Sequence, residues 1–308
     1  MYLISFVCFC LCTLTFSAIL ARCIPLLRSS VLSYGKLQSI ATRPTSSIAL
    51  QLAQWTVPKS WFAHFYVVGL ISALYCFAEI VFLLQWHGHG PVLYCLRMWD
   101  IPQASSHISV LESIVALALL TLHLARRVYE SFCIERPSLE ARMHVSHYLA
   151  GVGFYGAMVL ATWLEGAANF GVWSGKLSPP ALDWSDLLCT RVVMATFLFF
   201  YASMHQHQCH CILASLRTKK EANHYQIPRG DWFEWIVVPH YFADILVYLS
   251  LCILHGFRNW ILICGLIWTV INLSITASGT EEWYKAKFGL RYQATFPKGR
   301  WIILPGIY

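Results

Sequence analysis

Seven apolar stretches recur along the chain, and they restrict its fold more than any other feature. They run roughly over residues 2–21, 61–84, 108–125, 145–164, 187–209, 235–254 and 259–277. Crossing the hydrocarbon core of a bilayer takes about 20 apolar residues as helix. Lipid offers no partner to an exposed N–H or C=O, so a closed helical hydrogen-bond ladder is the state open to such segments. The third and fifth stretches are the least clean, with Glu112 and Arg191 near their ends. Only 12% of the 308 residues are charged, half the roughly 25% of a soluble domain. That leaves too little polar surface for a water-soluble globule. The expected fold is therefore an all-α polytopic membrane protein with about seven transmembrane helices, forming one integral membrane domain over 1–308. Cys8, Cys10, Cys12, Cys76, Cys252 and Cys264 lie inside apolar stretches. They are read as small hydrophobes, with few or no disulfides expected.

Charge sets the expected orientation. The net charge of +7 does not come from one basic block, so nucleic-acid binding is not indicated. Lys and Arg instead alternate between rich and poor connections. Segments 22–60, 126–144, 210–234 and the tail after 277 hold eighteen of the 22, from Arg22 to Arg300. The intervening connections hold Arg97, Lys176, Arg191 and Arg258. By the positive-inside rule the C-terminus is cytosolic and the N-terminus lumenal or external. The first stretch lacks a basic n-region and is followed by Arg22, so it is read as a retained anchor. Segments 85–107 and 165–185, with their Gly and Pro residues, read as lumenal loops. Segment 22–60 is long enough to hold an interfacial or re-entrant helix. No internal repeat is present.

Ionisable groups in membrane helices are costly, so each is a functional candidate. Gln206, His210 and Arg217 lie at offsets of 4 and 11, nearly one line along a helix. His240 and Asp244 are i, i+4 and interrupt an apolar stretch. His123, Arg126, Arg127 and Glu130 close the third stretch, and Tyr284, Lys285 and Lys287 follow the seventh. Four helices thus bring polar groups to one cytosolic depth, which suits a polyanionic ligand such as a pyridine nucleotide. Against this, Arg126, Arg127, Lys219, Lys220 and Lys285 also suit headgroup anchoring alone, and His240 and Asp244 also suit a helix–helix hydrogen bond. The run His205-Gln-His207-Gln-Cys209-His210-Cys211 looks like a metal tract, but a straight helix points 205, 207, 209 and 210 in different directions, and no metal is expected. There is no Walker pattern and no strand–helix G-x-G-x-x-G. Any nucleotide site must be built from helices.

Several segments carry a resemblance: Ile227-Pro-Arg-Gly-Asp-Trp-Phe-Glu-Trp235, Pro239-His-Tyr-Phe-Ala-Asp244, Trp283-Tyr-Lys-Ala-Lys-Phe288 and Phe296-Pro-Lys-Gly-Arg300, with Val57–Tyr66, Leu122–Glu130 and His205–His210 upstream. Over roughly 57–308 the chain resembles the steroid 5-alpha-reductase family, most closely its polyprenol (polyprenal) reductase branch. The resemblance implies a seven-helix endoplasmic reticulum enzyme that binds NADPH at the cytosolic helix ends and takes a lipid from the bilayer. It places Arg127, Gln206, His210, Arg217, His240, Asp244 and Tyr284 at the nucleotide site. Departures are Leu124 where steroid-reducing members carry Tyr, His240 for their Asn, Asp244 for their Glu, and Gly279–Glu282 in place of a His-rich run. These argue against a steroid as main substrate.

The implied reaction is reduction of the α-isoprene double bond of polyprenal or polyprenol, on the route to dolichol and so to protein N-glycosylation. An allylic alcohol offers no electron sink, whereas an aldehyde makes the β-carbon electrophilic and lets an acid stabilise the enolate. A proton donor near the carbonyl is required, and His64, Tyr66 and Glu130 are the candidates. Alternatives are a reductase of steroid enones or enoyl thioesters, and a non-enzymatic seven-helix receptor or transporter. The latter class is disfavoured by the basic ring joined to His240 and Asp244, and by the missing repeat. Oligomeric state is not legible.

Overall fold

The computed structural model describes residues 2–32, 47–86, 90–92, 94–95, 106–136, 141–170, 182–217 and 225–308. Each apolar stretch coils into a helix: α1 (Tyr2–Cys23), α2 (Phe62–Trp86), α3 (Val110–Tyr129), α4 (Val145–Ala161), α5 (Thr190–Ser215), α6 (Pro239–Leu254) and α7 (Trp260–Phe288), with a short α8 (Leu290–Thr295) behind them. Glu112 near the start of α3 closes a capping box with Ser109, whose hydroxyl accepts from Glu112 N at 3.2 Å. α6 begins at Pro239, later than expected, because proline fits the first helical position and leaves no N–H unsatisfied there. α7 runs eleven residues past the expected 277, and Lys285 meets Glu281 at 2.9 Å across one of the added turns.

Among the described residues, four helical spans are long and apolar enough to cross a membrane: Tyr2–Cys23, Lys59–Gln85, Val145–Phe170 and Trp260–Phe288. Polar residues interrupt α3 and α5, and α6 has only 16 residues. Among the described residues the protein is an all-α membrane protein apart from a three-residue antiparallel pair, β1 (Thr56–Pro58) and β2 (Arg142–His144), which ties the entry of α2 to that of α4. Segment 22–60 contains a helical turn at Pro25–Leu27, a π-helical turn at Arg28–Leu32 and a helix at Ser47–Gln54. Its residues 33–46 lie outside the described residues, as do 87–89, 93 and 96–105 of the first expected lumenal loop and 171–181 of the second.

Side-chain contacts fix the direction of each helix. At one end Glu112 at the start of α3 meets Arg191 at the start of α5 and Arg258 after α6. There too Asn259, ahead of α7, donates to Ala161 O at the end of α4 (2.7 Å). At the other end the last turns of α3 and α5 meet the first turns of α2 and α6. α1 and α7 run parallel, since Cys12 Sγ lies 3.9 Å from Cys264 Sγ and Arg22 donates to Ser278 at 3.2 Å. Arg28 then reaches Glu282 at 3.1 Å. Successive helices therefore alternate in direction.

Small residues let the backbones approach. A Cβ on Gly151 of α4 would lie 2.5 Å from the Phe65 ring of α2, and one on Gly265 of α7 would lie 2.4 Å from Met158 Sδ of α4. The shared core joins Leu117, Leu120 and Leu124 of α3 with Phe154 and Met158 of α4 and Tyr248 and Leu251 of α6. Outward, α1 and α5 present Phe9 and Phe197, 68% and 73% exposed. An apolar outer face around a packed interior suits a lipid solvent.

Candidate active site

The last turns of α3 carry His123, Arg126 and Arg127 on adjoining faces, and the chain then loosens into a π-helical turn at Glu130–Ile134. Such turns insert one extra residue and re-aim side chains. Here the turn holds Glu130, with no solvent exposure, between the helix ends at one end of the bundle. Its Oε1 accepts from Arg126 Nη1 at 2.6 Å and from His207 Nδ1 at 2.8 Å. Its Oε2 accepts from Arg127 Nη1 and lies 2.8 Å from His210 Nδ1. Glu130 lies beyond the apolar part of α3. Burial works to raise its carboxyl pKa, but the His210 hydrogen bond and the charges of His210, Arg127 and Arg126 outweigh burial and hold it well below the usual carboxylate range.

Two further links extend this centre. Gln206 is one turn before His210 on α5; its Oε1 accepts from Arg126 Nη2, and its Nε2 donates to Asp244 Oδ1 (2.7 Å) and to His240 O (3.2 Å). Asp244 also lies 3.9 Å from His123 Nε2. The His210 and His240 rings stand 5.5 Å apart. On the α2 side Arg127 Nη2 donates to Tyr66 Oη and to Glu135 Oε1, both at 2.9 Å, with its guanidinium 4.6 Å from the Tyr66 ring centre. The structure thus gathers Arg127, Gln206, His210, His240, Asp244, Glu130 and Tyr66 at one depth.

Three expected members stand apart. α5 ends at Ser215, so the line through Gln206 and His210 does not continue to Arg217. Arg217 is exposed; its guanidinium donates to Arg136 O while Arg136 Nη1 donates to Arg217 O at 3.0 Å. Tyr284 lies in an aromatic layer, stacked on Tyr292 at 5.8 Å and Phe288 at 6.0 Å, near the Arg300 guanidinium. His64 is exposed on the outside of α2, with Nδ1 3.3 Å from Tyr148 Oη and its ring beside Trp61.

The His/Cys run disperses as helical geometry requires. His205 pairs with Asp231 at 2.8 Å while stacked on Trp232, Cys209 approaches Asp231 at 3.7 Å, and His207 turns to Glu130. Glu130, Glu135 and His210 offer ligand atoms within 4.8 Å of one another. The Arg127 guanidinium bonds or abuts all three, so a cation already fills that space. Sequence reasoning weighed Arg126 as a headgroup anchor, yet it bridges Glu130, His123 and Gln206. It missed Glu135, which lies eight residues from Arg127, a separation that only the π-helical turn brings into reach.

The donor set fits a polyanionic nucleotide. Two guanidinium groups sit at the helix ends, and Arg126 Nε and Ser131 Oγ are buried without a partner among the described residues. An all-α membrane bundle whose polar centre is assembled from the ends of four helices defines the class. A profile of the 3-oxo-5-alpha-steroid 4-dehydrogenase family matches residues 156–308. Polyprenal reductase 1 of Arabidopsis thaliana is 30% identical over 276 residues, 83% of this chain and 82% of the relative. Polyprenal reductase of Xenopus tropicalis is 30% identical over 290 residues (90% and 87%), and that of Homo sapiens 29% over 297 (90% and 85%). The chain belongs to the steroid 5-alpha-reductase family, on its polyprenal reductase branch.

Proposed function

We propose that this protein is an NADPH-dependent reductase that saturates the α-isoprene double bond of polyprenal, on the route from polyprenol to dolichol and thereby in support of protein N-glycosylation. The observation that carries the reading is the largely buried Arg126–Arg127–Gln206–Asp244 centre at the end of the bundle where Arg22, Arg28 and Lys285 also lie. The relatives' names supply the lipid class. The alternation of helix direction and of basic connections supports seven spans in the endoplasmic reticulum membrane, with the N-terminus lumenal and the C-terminus cytosolic.

Arg126, Arg127, Gln206, His210, His240 and Asp244 would hold the cofactor, with Arg217 and Tyr284 reached from the rim. NADPH when bound supplies the hydride. The protein's part is to fix the lipid aldehyde, exclude water and deliver a proton. A carbonyl conjugated to the double bond accepts the displaced electron pair, which an alcohol cannot do. That is why the aldehyde is the favoured form.

The test is NADPH consumption by the purified protein in detergent–lipid micelles with polyprenal, polyprenol or a 3-oxo-4-ene steroid supplied separately, and products identified by mass. Turnover of polyprenal alone is expected. Turnover of the steroid alone would overturn the substrate assignment, and absence of both turnover and NADPH binding would overturn the reductase reading.

A further inference from the structure

Tyr66 stands at the boundary between the ionic centre and the apolar interior. Its ring lies 5.1 Å from that of Tyr155, and Tyr155, Phe154 and Tyr248 continue the aromatic layer into the bundle at centroid spacings of 5.4 Å. On its other side is Arg127. An apolar substrate and the charged end of the site would meet at this residue.

Hydrogen-bond directions sharpen the point. Guanidinium has donors only, so the Tyr66 oxygen accepts from Arg127 Nη2 and its own proton is directed elsewhere. Among the described residues no acceptor takes that proton. The Tyr66 hydroxyl is therefore a donor held in place by its acceptor lone pair. Loss of the proton would leave a phenolate 2.9 Å from a buried guanidinium, the arrangement that makes such an anion tolerable in low dielectric. Among the described residues no cation bonds to the hydroxyl groups of Tyr155 and Tyr248.

The other two candidates lack these properties. Glu130 accepts from Arg126, Arg127 and His207 on its two oxygens, which fixes it as an anion with no proton to give. His64 lies on the outer face of α2, bonded toward Tyr148.

We infer that Tyr66 is the catalytic acid, giving its phenolic proton to the reduced substrate while Arg127 holds the resulting phenolate. The inference rests on the polyprenal reductase reading. In the balanced step, the β-carbon gains a hydride with its electron pair from reduced nicotinamide and the carbon–carbon π pair moves toward the carbonyl. The Tyr66 O–H bond breaks, and its proton completes the saturated aldehyde at the α-carbon, directly or through the enol. A solvent proton relayed by water from the cytosolic side then restores the phenol, so each double bond consumes one hydride and one proton.

The experiment compares wild type with Tyr66→Phe, which keeps the ring and its packing. Removing a general acid costs about 10²–10⁴-fold in rate, so kcat for polyprenal should fall by that factor, while NADPH affinity measured by calorimetry stays at the wild-type value. Two results would overturn the assignment with the reductase reading intact: a Tyr66→Phe enzyme within threefold of wild-type kcat, or the large loss appearing in Tyr155→Phe or Tyr248→Phe instead. A fall in NADPH affinity large enough to account for the rate loss would make Tyr66 a cofactor contact and overturn it as well. A wild-type protein that binds NADPH but does not reduce polyprenal would overturn the reading on which the inference stands.

Discussion

Glu135 reaches back across a π-helical turn to place its Oε1 2.9 Å from Arg127 Nη2, making an internal anion on the guanidinium face nearest solvent. Its side chain is 35% exposed, against 7% for Arg127 and none for Glu130. On the proposed reading, a cofactor phosphate approaching Arg127 would compete with this carboxylate first. Glu135→Gln should therefore bind NADPH more tightly, by up to about fivefold, the scale of one partly exposed ion pair of ~1 kcal/mol. Calorimetric titration of NADPH into both proteins checks this, and weaker binding by the variant would contradict it.

Glu130 should be the residue whose loss harms stability most. Changing Glu130 to Gln leaves Arg126 and Arg127 charged with their main counter-ion gone, and breaking a buried pair in this way costs about 3–5 kcal/mol. Thermal unfolding in detergent should show a large fall in midpoint. A variant as stable as wild type would mean that Glu135 alone neutralises both arginines.

The same carboxylate sets a pH dependence. Its folded pKa lies below the ordinary value of 4.5, so its contribution is full above 4.5 and is lost as pH falls from there toward the folded value. Wild type should lose stability on acidification below about pH 4.5, and Glu130→Gln should lack that part of the decline. Parallel acid profiles for the two proteins would show that other carboxylates carry the acid response.

The opposite end of the bundle offers a contrast. Glu112 is buried between Arg191 and Arg258 and also closes the cap of α3. Glu112→Gln should lower stability by about 1–3 kcal/mol, the cost of weakening charge-assisted bonds. NADPH affinity should stay unchanged, because that end shares no side chain with the Arg127 centre. Loss of cofactor binding at preserved stability would mean that the two ends are coupled.

Much of this arrangement is legible in the sequence because helical periodicity is local. Gln206 with His210 and His240 with Asp244 are separated by four residues, and the apolar stretches mark the helices that carry them. Arg217 escapes the pattern because α5 stops at Ser215, and periodicity predicts nothing past a helix end. Glu135 escapes because a π-helical turn breaks the 3.6-residue period. The outward placement of His64 and the inward placement of Tyr66, two residues on, depend on how α2 is rotated against α3 and α4. That rotation is set by close packing such as Phe65 against Gly151, a long-range match that no single segment encodes.

The parallel pairing of α1 with α7 joins segments some 250 residues apart, as Cys12 and Cys264 are. During synthesis α1 enters the bilayer long before α7 exists. The side of α1 that will face α7 must therefore wait in contact with lipid acyl chains, and Arg22 and Arg28 must find interim partners among headgroups. The tertiary structure thus closes last along this seam, as a hoop closes at its clasp. Slowing the insertion of α7 should leave a partly assembled bundle in which position 11, where Leu11 is 1% exposed in the finished protein, still faces lipid, so that a Leu11→Cys variant reacts with lipid-soluble thiol reagents until the seam forms.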